Sequence, residues 1–398
     1  MISRQSFDAV ILGAGIIGLA SAYYLGLRGK KVLVLEAGGF GHGSSGACDD
    51  MILLQSKKPG INLQLSFKSL ELYRQMVRDW ADEELDFLNL GGMILIQTPE
   101  ELTIMEEFVQ QQRDNGLDVT ILDKKEMKKY QPFVSDQFIA STYSSIDSQV
   151  SPFAVMRGYL RRIKQVGGLI RFYTPVKGIK RGSSGTWAVE TRSGETVSSE
   201  VVVNAAGAWA GNIGHMVGEY IPITPKKGQL VITEKVPPVG KTNLWSARYM
   251  VTKLRPDLVQ AEGSGNGIGL SFSFTRTGDG NYLIGSTREK AGYVKENSYE
   301  ALQAVIRQAV DFIPTLRQVH FIRTIAGFRP ATEDGLFILG EHADSPGFFT
   351  AAGHEGDGIA LAPITGKILS EMVCGDSLGE ELTQLSPNRF QPKEKIHG

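Results

Sequence analysis

The stretch AVILGAGIIGLASAYYLGL, residues 9–27, carries no charged side chain and is nearly long enough to cross a bilayer as a helix. Its surroundings give it another reading. Gly13, Gly15 and Gly18 stand in a G-x-G-x-x-G spacing, after the strand-like run FDAVIL and at the head of a run with helical character. A second strand-like run, KKVLVLE, ends in Glu36, 23 positions beyond Gly13, close to the roughly 20 expected of a ribose-binding carboxylate. Gly13 permits the tight turn from strand to helix, Gly15 lets the backbone approach a pyrophosphate, and Gly18 lets the helix pack closely on the strand. Ile16 and Ile17 lie at the helix N-terminus, where unpaired N–H groups present partial positive charge to phosphates. The run is apolar because such a unit is buried on nearly every side. The expectation is a dinucleotide cradle, not a membrane span, with no cleavable signal ahead of it.

The 398 residues suffice for two domains or one elaborate one. Lys and Arg total 42 against 43 Asp and Glu, without the basic excess of a nucleic-acid binder. The lysines of DKKEMKKYQP, residues 123–132, alternate with Glu126 and Met127 and read as a solvated helix face. Cys48 and Cys374 form no ligand or disulfide spacing, so neither a metal nor a disulfide scaffold is expected and a reducing cytoplasm is the simplest home. The glycine-rich EGSGNGIGL, residues 262–270, reads as a loop before two strands that turn around Gly278–Gly280, not as a second phosphate site.

Beyond the nucleotide unit, helical periodicity marks LSFKSLELYRQMVRDW, with Leu70, Tyr73, Val77 and Trp80 on one face. PEELTIMEEFVQQQRDNG and AVMRGYLRRIKQVGG carry helix start and stop signals. A buried strand at Val201–Val203 runs into the small residues of NAAGAWA. Residues 221–286 are rich in strand-like alternation, and GFFTAAGHEGDGIALAPITGK reads as strand, glycine loop and helix. The tail from Ser386 reads as polar and loose.

The N-terminal G-x-G-x-x-G with Glu36, then NAAGAWA, GFRPATEDGLFILG and AAGHEGDGIALAPITGK, resemble in this order the D-amino-acid-oxidase-like family of FAD-dependent amine oxidoreductases. That family includes glycine oxidase, sarcosine oxidase and proline dehydrogenase flavin subunits. The last segment is most similar to flavin subunits of hydrogen cyanide synthase, opine oxidases and hydroxyproline dehydrogenases. The resemblance spans essentially the whole chain. It implies an α/β, two-domain fold: a Rossmann-like FAD-binding domain with an inserted antiparallel-sheet substrate domain. The FAD domain would be discontinuous, comprising residues 1–85, 145–220 and 320–398, with residues 86–144 and 221–319 forming the substrate domain.

The resemblance also implies contacts. Ala37 would follow Glu36 at the ADP half, and Gly43, Ser44, Ser45, Gly46 and Ala47 would lie near the pyrophosphate. Val176 would lie against the adenine, and Ala206 and Gly207 against the cofactor. Gly353, His354, Glu355, Gly356, Asp357, Gly358 and Ile359 would sit by the flavin ring. Relatives with covalent FAD supply a His after the second strand or a Cys near the C-terminal loop. Ala47 occupies the first position, His42 is displaced from it, and the loop has no Cys, so non-covalent FAD is expected.

In this family a hydride passes from the carbon bearing the amine to flavin N5 and leaves an imine. Arg329 matches the arginine that grips the substrate carboxylate; the competing reading is an ion pair with Glu333 or Asp334. Tyr249 and Arg248 are weaker substrate-site candidates. Arg276 is read either into the pocket or onto a hairpin, and His354 either near the flavin or as a backbone-bonding residue. Glu355 and Asp357 stand where glycine oxidase carries an arginine; a solvent or partner-facing role is preferred over recognition of an extra cation. The expected substrate is a small amino acid or secondary amine such as proline, hydroxyproline, sarcosine or glycine. Three alternatives stand beside it: an electron-conducting flavin subunit, a flavoprotein scaffold, and an oxidase of a hydroxy compound. A partner subunit receiving electrons, with peripheral membrane association through it, completes the expectation.

Overall fold

The computed structural model describes residues 5–255 and 268–390. The opening stretch folds as a strand, Ser6–Leu12, a helix, Ile16–Leu27, and a second strand, Val32–Leu35. Gly13 makes the turn at φ +110°, and a Cβ there would stand 2.6 Å from the Ala205 carbonyl oxygen. Only glycine tolerates that backbone and that neighbour. A Cβ on Gly18 would collide with the Gly13 carbonyl, so the third glycine lets the helix fold back on the turn.

Around this unit the first sheet runs 338–341, 348–352, 196–204, 6–12, 32–35, 169–171, with 187–191 and 176–181 extending from 196–204. Ser6–Leu12 pairs in parallel with Val32–Leu35 on one side and Thr196–Asn204 on the other. Phe348–Ala352 joins the far side of Thr196–Asn204, also in parallel. The order therefore reverses at the first strand, and the strand ends Leu12, Leu35, Asn204 and Ala352 open one crevice, where ligands bind in such sheets.

The second sheet runs 321–332, 223–233, 282–288, 269–276, 243–246, 92–96, 140–143, 120–123. It is antiparallel, as expected, with one parallel pair, Asn243–Ser246 beside Gly92–Ile96. These strands come from separate stretches of chain, and no hairpin forces their direction. Phe321–Thr332 pairs with Ile223–Thr233 along its whole length, in the second sheet, although the sequence reading grouped it with the FAD domain.

The anticipated helices form. Val77 is 41 % exposed and leaves the buried face of Ile61–Asp79, and Met76 takes its place beside Leu70, Tyr73 and Trp80. At 3.6 residues per turn the stripe drifts, and position 76 stays over the core. Lys124–Tyr130 is a short helix with an Asp123–Glu126 capping box, its lysines on the outside as expected. The tail is not loose as far as Phe390: Arg389 pairs with Asp334 and donates to the Leu336 carbonyl. Most of EGSGNGIGL lies outside the described residues, but the two strands after it form as Gly269–Arg276 and Tyr282–Arg288.

The C-terminal helix Gly358–Val373 is buried along most of its length. Pro363 has no N–H to give the Ile359 carbonyl. The Tyr73 hydroxyl donates there at 2.6 Å, from the helix Ile61–Asp79. No helix among the described residues is long and apolar enough to cross a membrane.

Candidate active site

One cavity of about 630 Å³ runs from the ends of the first sheet to the face of the second. At its first end the Glu36 carboxylate accepts N–H bonds from Ala14 at 2.8 Å and Gly38 at 2.7 Å. These bonds hold it at the cavity wall with lone pairs left for ribose hydroxyls. The Ile16 N–H donates to Ser45 Oγ at 3.1 Å, tying the helix N-terminus to the loop of residues 43–47. Val176 and Arg192 line the same end.

Most of the residues anticipated as cofactor contacts line this one cavity. Gly13, Gly15, Ile16, Ile17, Glu36, Ala37, Gly43, Ser44, Ser45, Ala47, Val176, Ala206, Gly207 and residues 353–359 all line the cavity. Gly18 and Gly46 do not. Both stand behind the wall, where a side chain would strike the carbonyl oxygens of Gly13 and Gly41. A long, backbone-lined trough with a carboxylate at one end and a helix N-terminus beside it fits a dinucleotide, and its volume is in the range of cofactor sites.

The other end is built by the second sheet. Arg329 lines it and donates to the Thr287 carbonyl at 3.0 Å and Ser286 Oγ at 2.7 Å. The alternative ion pairs do not form: Asp334 binds Arg389, and Glu333 accepts from the Tyr220 hydroxyl. Burial, and then the neighbouring Arg288, bring the Arg329 pKa down to about 10, so it remains charged at neutral pH. Tyr249 lines the cavity, whereas Arg248 is exposed and does not. Both lie on the helix Ala247–Leu254, which the strand-rich reading of this region missed. Consecutive helical residues point about 100° apart, and here that turn carries Arg248 to the surface.

Arg288 was not anticipated. Its guanidinium lies 4.4 Å from the Tyr249 ring centroid and pairs with Glu355 at 2.9 Å. Burial opposes its charge, but Tyr249 and Glu355 outweigh burial and raise its pKa. Lys226 reaches Glu355 at 3.4 Å. Burial opposes the charge on Glu355 too, but Arg288 and Lys226 together hold its pKa below the usual value. Asp357 pairs at 2.6 Å with Lys57, whose side chain is only 2 % exposed. The two loop carboxylates therefore face the chain's own cations, and neither the partner-facing nor the cation-recognising role fits them.

His354 lines the cavity but is packed as a structural residue. Its ring stacks on Phe337 at 4.4 Å, and Nε2 meets Thr365 Oγ1 at 3.1 Å. Burial pushes its pKa down to about 3, so it is neutral. Arg276 does not line the cavity; its guanidinium lies by Gly280 in the hairpin turn, and its carbonyl accepts from Gln149. Arg288 lies two residues beyond Ser286 on the same strand and so on the same face of the sheet, an alternation visible in sequence only once one of the two is known to face the cavity.

The family model described as "DAO: FAD dependent oxidoreductase" matches residues 8–372. The chain is 28% identical to "Hydrogen cyanide synthase subunit HcnC" of Pseudomonas aeruginosa, covering 98% of each. Among solved structures it is similar to glycine oxidase from Geobacillus kaustophilus, with a TM-score of 0.87 at 26% identity over 97% of this chain and 100% of that one. It is also similar to L-proline dehydrogenase from P. horikoshii, with a TM-score of 0.85 at 26% identity over 97% and 98%.

Proposed function

We propose that this chain, which belongs to the DAO family of FAD-dependent oxidoreductases, oxidises a small amino acid or secondary amine of the glycine, sarcosine, proline or hydroxyproline type to its imine. The observation that carries this reading is Arg329, a charged guanidinium facing the cavity with neutral protein partners only. Its bonds to Ser286 and Thr287 fix its plane and leave N–H donors for a carboxylate, which a guanidinium grips through two parallel bonds. The adjacent carbon is then held at one place and one orientation. When bound, FAD supplies the hydride acceptor for that carbon. Trp245 and Tyr249 line the same cavity. The N-terminus of Gly358–Val373 aims partial positive charge at the cavity. The names of the relatives, glycine oxidase and L-proline dehydrogenase, support this substrate class.

The cofactor is read as non-covalent. Ala47 offers no nucleophile, and burial raises the pKa of Cys48, keeping it a thiol. We divide the chain as the sequence suggests, but draw the last boundary after Phe321–Thr332 because that strand belongs to the second sheet. The similarity to HcnC, a protein named as a subunit, supports a second reading in which electrons pass onward to a partner.

The test is anaerobic titration of the purified flavoprotein with glycine, sarcosine, proline and hydroxyproline. One of them should bleach the flavin band, and readmitted oxygen would then separate oxidase from dehydrogenase. Arg329→Ala should lower kcat/KM for that substrate by about 10²-fold, the loss of charge-assisted bonds worth roughly 3 kcal/mol. Undiminished reduction in that variant would refute the carboxylate clamp.

A further inference from the structure

We propose that Asp49 is the receptor for the substrate's ammonium group, so that the site binds an amino acid as its zwitterion between Asp49 and Arg329. This rests on the amino-acid reading above and adds the second half of the recognition.

Most charged side chains along the cavity wall already have partners. At the adenine end, both Glu36 oxygens are already engaged by backbone N–H groups. Toward the flavin end, Lys57 is taken by Asp357, and Arg288 and Lys226 by Glu355. Two charges at the substrate end are left over. Arg329 bonds only to a carbonyl and a hydroxyl, and among the described residues no carboxylate lies within ion-pairing distance of it. Asp49 lines the same cavity and likewise has no cation within that distance among the described residues. The Met51 backbone amide and the Ser273 hydroxyl stand beside its carboxylate and favour its charge. They are close enough to feel each other's fields: Arg329 works against the upward shift that burial imposes on Asp49, and Asp49 against the downward shift of Arg329.

Burying a charge without a partner costs several kcal/mol. Two unpaired charges of opposite sign, lining one cavity and not touching, make a site for a ligand carrying both complementary charges close together. An α-amino acid does so on one carbon. A primary ammonium or a protonated secondary amine each retains N–H donors for Asp49, so glycine-like and proline-like substrates both satisfy it. A 2-hydroxy acid or a glycerol phosphate does not, because each would leave the Asp49 carboxylate facing a neutral group.

Two ligands of nearly the same shape test this. α-Aminoisobutyrate is a zwitterion with no hydrogen on its amine-bearing carbon, so it cannot be oxidised there. Trimethylacetate replaces its ammonium by a methyl group. Calorimetric titration of the holoprotein at pH 7.5 should show the zwitterion binding at least tenfold more tightly than trimethylacetate. In Asp49→Asn that preference should vanish, through weaker zwitterion binding with trimethylacetate unchanged or tighter. Equal affinities in the unaltered protein would overturn the role of Asp49 while leaving the carboxylate clamp standing, and this comparison decides the matter even if the variant does not fold. An unchanged preference in Asp49→Asn would overturn it equally. Failure of both ligands to bind would instead refute the amino-acid reading itself.

Discussion

Asp50 stands next to Asp49, yet it does not line the cavity. It is buried against Gln149, whose side-chain amide donates to it at 3.3 Å. Burial pushes its pKa up to about 7 with help from the charge on Asp49, and the Thr275 hydroxyl beside it works the other way. The sign follows from linkage: the folded state holds this proton up to about pH 7, the unfolded chain only to about pH 4. Asp50 therefore costs no stability near pH 4 and costs progressively more as pH rises to 7. Asp50→Asn should be more stable than the parent at pH 8, by on the order of 4 kcal/mol at 1.4 kcal/mol per pKa unit. The gap should close toward pH 4. Urea denaturation at both pH values measures it, and a pH-independent gap would show that Asp50 does not titrate in this range. Residues such as Arg329 were legible because a motif carries them. Asp49, Lys57 and Arg288 were not, because their meaning depends on distant partners: Lys57 meets Asp357 across 300 positions and Arg288 meets Glu355 across 67.

At the scale of elements, the join between Tyr73 and the C-terminal helix is the most exposed to test. Without Tyr73 the Ile359 carbonyl, already denied a donor by Pro363, would be buried and unpaired. Tyr73→Phe keeps the ring and removes only that bond, so it should destabilise the fold by about 1–3 kcal/mol. Thermal unfolding of the apoprotein reads this directly, and an unchanged Tm would mean that water reaches the carbonyl. The nucleotide unit was fully legible because strand, turn, helix and strand are continuous in sequence, with each boundary marked by a glycine or a charge. The helix Ala247–Leu254 was not, because eight residues between strands carry too little periodicity. The sheet membership of Phe321–Thr332 was equally hidden, since its partner Ile223–Thr233 lies about a hundred residues earlier.

For the whole molecule, the cavity joins both sheets, so a ligand that fills it couples them. Added FAD should raise the Tm of the apoprotein, with a gain of about 2.7 kcal/mol when free FAD is a hundred times its Kd. Acid precipitation of the holoprotein should leave all yellow colour in the supernatant; colour retained in the pellet would show a covalent bond and overturn the reading from Ala47 and Cys48. The fold class was visible in four separated motifs, but the depth of their entanglement was not. Phe348–Ala352 seals the crevice beside Thr196–Asn204, and residues 353–359 form the wall at the far end of the trough. A ribosome making this chain has released the first phosphate-binding turn long before it makes that wall. Until about residue 360 has emerged, the growing polypeptide has the first end of the cavity but lacks the wall that residues 353–359 build. Lasting cofactor capture is thus expected only of the finished chain, and yellow colour would report that the last strand and helix have docked.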